Sequence, residues 1–203
     1  MGVLDGLLGR PAPAPPDAGR LLALPAAAAE LAAATGFAPT GEGGVCHRLV
    51  EGGAFGAFDR ARREAGRLLS GDPARRTETT DDPHGWGWTR VTRAADDFER
   101  LIADLHLVEA TLADAGYGRY LLCSAAAFRR GDGRQRLYVV HAPGRGAFYP
   151  FAPRPPDGPP DAPDHARRRN NLVETRARDA LRETLPMEPD TARWFPLWDA
   201  PGL

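Results

Sequence analysis

The chain has 203 residues, 42% of them hydrophobic and 26% charged, with a formal net charge of −1. That length buries roughly 70% of the surface its unfolded form exposes, enough for one substantial core, and a charge so near zero sets up no field to draw nucleic acid. All 26 basic side chains are arginine, so a lysine Schiff base and the phosphate-reaching lysine of a P-loop are both excluded.

Residues 1–19 read as a short amphipathic segment and a linker. Val3, Leu4, Leu7 and Leu8 repeat at helical spacing over two turns, too few for a helix that is stable alone, and the proline-rich run 11–16 follows as an extended spacer. This segment either frays or docks, for instance on a membrane surface. Residues 20–203 are expected to form a single α+β domain. An alanine-rich helix over 25–34 opens on Pro25 and closes before Gly36, and a short strand covers 45–50. Phe55, Phe58, Ala61, Ala65 and Leu69 then line one face of a second helix, stopped by Gly71, Asp72 and Pro73.

Alternation of Trp86, Trp88 and Arg90 after the turn signal Asp82-Pro83 predicts a hairpin over 76–92. The longest helix has Asp96 as N-cap, Glu99 as capping-box partner and Gly116 beyond its end, with Phe98, Leu101, Ile102, Leu105, Val108 and Leu112 as its apolar stripe. Strands over 120–128, 136–141 and 147–151 are joined by tight glycine turns and so form an antiparallel meander. A proline-rich loop over 153–164, a charged helix over 165–184 and the apolar tail Trp194, Phe195, Pro196, Leu197, Trp198 complete the chain. The tail is too aromatic to be left in water and is expected on the sheet or at a contact surface. The fold class is therefore α+β, an antiparallel sheet of about five strands packed by a long amphipathic helix.

No leader peptide pattern opens the chain, and no apolar run approaches the ~18 residues of a membrane span, so a cytoplasmic location is expected. Cys46 and Cys123 stand far apart and in no C-x-x-C spacing, which suits reduced, packed thiols. His47, His84, His106, His141 and His165 include no H-x-x-H or H-x-x-x-H pair, and no metal or other cofactor is expected. Ser124 lacks the G-x-S-x-G turn of a nucleophile elbow. The alternative is a metal- or cysteine-dependent enzyme built from Cys46, His47, His106, Cys123 and His141, which requires at least three of them to meet at one point. Arg145 and the run 167–169 could bind an anion, although such arginines are more often a hairpin turn and a solvated helix face. Trp86 and Trp88 share one face of a strand, either as packing or as the frame of a groove.

The run 111–123 (TLADAGYGRYLLC), the block 146–153 (GAFYPFAP) and the ending 188–203 (EPDTARWFPLWDAPGL) resemble the PspA-associated protein PspAB family of actinobacteria and haloarchaea. The likeness extends to the opening MGVLDGLLGR and to VEGGAF at 50–55; the proline expansion at 155–163 and the tripeptide Gly118, Arg119, Tyr120 depart from it. The resemblance implies association with the phage-shock envelope-stress system, whose central protein PspA coats and repairs the inner membrane, and with an HtpX-type membrane metalloprotease. It brings no catalytic residues. It implies a non-enzymatic adaptor or regulator at the inner face of the membrane. Trp194, Phe195, Trp198, Arg145, Phe148 and Tyr149 are the candidate residues for holding a protein partner, being of the types that anchor interfaces. The order of elements is also similar to YbjN and secretion-chaperone domains, an analogy of fold alone.

Overall fold

The computed structural model describes residues 18–50, 55–82, 85–131, 134–154 and 168–198. Thus the segment 1–17, nearly all of the proline-rich loop, His84 and His165 lie outside the described residues. Six antiparallel strands form one sheet: β1 (Ala38–Arg48), β2 (Arg76–Asp81), β3 (Trp86–Thr92), β4 (Leu121–Arg130), β5 (Gln135–Ala142) and β6 (Ala147–Phe151). Their order across the sheet is β2-β3-β1-β4-β5-β6, so the hairpin and the meander meet on either side of β1. Four helices, α1 (Leu24–Thr35), α2 (Phe55–Leu69), α3 (Phe98–Leu112) and α4 (Asn171–Leu181), pack over one face.

Most of the expected elements are present. Gly36 ends α1 in the left-handed conformation, α2 spans the residues its stripe indicates, and the apolar stripe of α3 is buried. Strand β1 differs most, starting seven residues before the expected 45. Its first half, Ala38–Gly44, holds a proline and three glycines and so lacks the residues that mark a strand. Packing explains them. A Cβ at Gly43 would stand 2.9 Å from Leu105 Cδ1 of α3 and 3.0 Å from the Ala125 carbonyl oxygen, and Gly41 takes φ 79° where the register against β4 shifts. With β1 extended, the sheet has six antiparallel strands, in keeping with the expected α+β class.

Helix α3 begins one residue later than expected, with Asp97 in the N-cap position and no side-chain cap. The Asp97 carboxylate is instead bound by Arg93 at 2.9 Å. Arg93 also donates to Asp104 (2.5 Å) and Asp72 (2.8 Å), and Arg75 donates to the same Asp104 (2.5 Å) and to the Leu69 carbonyl. This network ties the end of α2, the hairpin and α3 together where all three leave the sheet. Helix α4 begins at Asn171, with the Asn170 side chain accepting from Val173 N–H as N-cap.

The two glycine environments predict opposite effects. Gly43→Ala must push Leu105 or the β4 backbone aside and should cost about 1–3 kcal/mol. Gly66, in α2 with no atom within 4 Å of an added Cβ, should gain about 0.5–1 kcal/mol on replacement by alanine. Urea denaturation midpoints at constant m-value check both.

Candidate functional site

The sheet face away from the helices carries a second apolar cluster, built from Cys46, Trp88, Cys123, Tyr138, Tyr149, Phe151 and Trp194. Strand alternation puts these residues there. The C-terminal segment covers part of this face. Trp194 is buried, stacked on Tyr149 at 6.5 Å, and its indole N–H donates to the Glu188 carbonyl at 3.0 Å. Trp198 meets Phe151 edge-on at 4.8 Å. Arg169 fastens the segment from below, donating to the Trp194 carbonyl at 2.6 Å and to Glu174 at 2.9 Å.

Between this segment and strands β3, β1 and β4 opens a cavity of about 700 Å³, within the range of small-molecule sites. Trp86 and Trp88 form one wall, and Phe195, Leu197 and Trp198 the other. The floor holds Cys46, Cys123 and Tyr149. Cys46 lies directly opposite Trp88 on one side and Cys123 on the other. Immediately after it the register slips, His47 pairing with Leu121, so that Leu122 is the extra residue of a bulge at the cavity wall. The floor is electrically neutral. A hydrogen bond to Cys123 and burial hold the Cys46 thiol far above its usual range, and burial first, then the neighbouring Cys123, raises the Tyr149 phenol. Charge is confined to the rim, where Arg145 pairs with Glu188 at 2.9 Å and lies 5.9 Å over the Phe195 ring, with Asp82 on the hairpin side.

Four of the six candidate residues thus border one cavity: Phe195, Trp198, Arg145 and Tyr149. Phe195 is 59% exposed. Trp194 lies buried behind them as the anchor of the tail, and Phe148 faces the helices, 4.7 Å from His141. Trp86 and Trp88, with the two cysteines, complete the site. The W-G-W alternation marks the shared face of the tryptophans in the sequence, whereas the cysteine pairing depends on a register that no local signal carries.

The five residues of the enzyme alternative divide between the two faces. Cys46 and Cys123 meet each other in the cavity; His47 and His141 are sealed on the helix side; His106 is half-buried on α3. Among the described residues no cluster of three or more His, Cys, Asp or Glu could hold a metal ion. His141 belongs to a buried polar group in which Ser124 Oγ donates to Glu109 Oε1 at 2.5 Å and His141 Nδ1 lies 3.2 Å from the same oxygen. The serine serves the carboxylate, not the imidazole, and all three are fully buried, so the arrangement is no nucleophile triad.

Fold and site together define an α+β protein whose antiparallel sheet is closed by helices on one face and holds an aromatic cavity with charge only at its rim on the other. The chain belongs to the family of PspA associated protein B, PspAB, whose family model matches residues 1–202. Comparison with curated proteins and with solved structures finds no match. Among the described residues no helix is long and apolar enough to cross a membrane.

His47 supplies a pH test of the helix side. Its ring lies edge-on to Phe58 at 5.3 Å, and neither ring nitrogen has a hydrogen-bond partner among the described residues. Burial first, then Arg62, lowers its pKa from 6.5 to about 4. A proton taken up in this window binds the unfolded chain better, so the penalty is absent above pH 6.5 and complete below about pH 4. Stability should fall by about 1.4 kcal/mol per pH unit across it from this group alone. Urea titrations of His47→Gln should lack that component while keeping the rest of the acid limb.

Proposed function

We propose that this protein is a non-enzymatic adaptor of the PspA envelope-stress system and that it holds a protein partner in the aromatic cavity. Family membership supports the association with PspA. The observation that carries the choice of surface is the cavity itself, where Trp86 and Phe195 stand 36% and 59% exposed beside a neutral floor. Tryptophan, tyrosine and arginine around an apolar recess are the residue types that anchor interfaces. The occupant that fits is an apolar side-chain cluster of the partner, entering between the tail and the hairpin. Arg145 and Asp82 at the rim supply direction rather than affinity. PspA is the first candidate partner and an HtpX-type membrane metalloprotease the second. Residues Val3, Leu4, Leu7 and Leu8 would add peripheral contact with the inner face of the membrane.

Crosslinked affinity purification from stressed and unstressed cells tests this reading, with mass spectrometry of the captured proteins. Stress-dependent recovery of PspA is expected for the unaltered chain. Replacing both Trp86 and Phe195 by alanine should cut that recovery at least about tenfold, a combined loss of ~1.4 kcal/mol or more. Equal recovery with both variants of the chain, or capture of no envelope-stress protein, would overturn the reading.

A further inference from the structure

Cys46 and Cys123 are distant in sequence, yet the sheet sets them face to face on the cavity floor. Directly opposed residues of an antiparallel pair have Cα atoms about 4.5–5.5 Å apart, inside the roughly 4.4–6.8 Å window of disulfides. Opposed Cβ atoms stand about 4.5–5.5 Å apart against about 3.5–4.5 Å in a disulfide, so the strands must close by up to about 1 Å, next to the bulge that begins right after Cys46. Both thiols are free and only 5–6% exposed, so the cavity mouth controls what can reach them.

We propose that Cys46 and Cys123 form a redox-active dithiol, oxidised to a cross-strand disulfide by a small disulfide admitted through the cavity. One of the two cysteines attacks, as its thiolate, one sulfur of the incoming R–S–S–R, breaking its S–S bond and releasing one small thiolate, which takes up the proton that cysteine has lost. The other cysteine then gives up its proton and attacks the protein sulfur of the mixed disulfide, expelling the second small thiol. Two protein thiols are oxidised and one small disulfide is reduced to two thiols. The neutral floor favours an uncharged reagent. This inference stands on the cavity and the register and is independent of what protein the cavity holds.

The test uses the reduced full-length chain and 2-hydroxyethyl disulfide, followed by intact mass, thiol counting and tryptophan emission. The native chain is expected to lose both thiols and the mass of two hydrogens, with no adduct. Its emission should fall, since Trp88 is the direct neighbour of Cys46, and dithiothreitol should reverse every change. Cys46→Ser should stop at a stable adduct on Cys123. Two thiols persisting in the native chain, a stable double adduct, or a disulfide that forms only in urea would each overturn the proposal.

Discussion

Helix α3 lies so close to the central strand that position 43 has no room for a Cβ, and the rest of the architecture depends on that contact. Leu101 and Leu105 fill the space above β1, both fully buried, and they fix the face to which every other helix must turn its apolar side. Phe128, Leu137, Val139 and Phe148 answer from the strands of the meander. Once the helices are committed to that face, the opposite face can be covered only by what remains of the chain. Among the described residues the C-terminal segment does this in part, and the part they leave uncovered is the cavity.

The two sides differ in how they handle charge. On the helix side a buried arginine is matched within a network: Arg93 faces three carboxylates, and Arg75 shares Asp104 with it. Removing one partner of such a network leaves an uncompensated charge, so its members act as a unit rather than as separate bonds. On the cavity side, sulfur, phenol and indole groups replace ions, and the arginine at the rim is already engaged with Glu188. A neutral recess with charge at its edge selects by shape and polarity.

Much of this was legible in the sequence, because the signals that succeeded are local. The stripe of α3, the glycine after α1 and the turns of the meander each follow from a few neighbouring residues. What failed was decided elsewhere in the fold. The glycines of β1 look like a loop until α3 is laid over them, and the capping box of Asp96 and Glu99 is not used because Asp97 is drawn to Arg93. The tail was recognisable as apolar, and Trp194 does return to the sheet, but its neighbour Phe195 stays largely exposed. Nothing local indicates that two cysteines 77 residues apart, from 46 to 123, share a register.

The cavity is a consequence of side-chain size in one row of the sheet. Across β3, β1 and β4, in order, stand Trp88, Cys46 and Cys123, with Ala142 on the next strand also at the wall, so a large residue is followed by three small ones. The row ends on Ala147, opposite Ala142, and the large group on that side is Trp198 of the tail. A row of this kind cannot be level: the small residues make a hollow whose walls are the aromatic rings on either side. Had the hollow served packing alone, a leucine at position 46 or 123 would fill it with better apolar burial than a thiol gives. Two paired thiols in its lining make it both a recess for an apolar group and a place where sulfur chemistry is within reach of a small molecule.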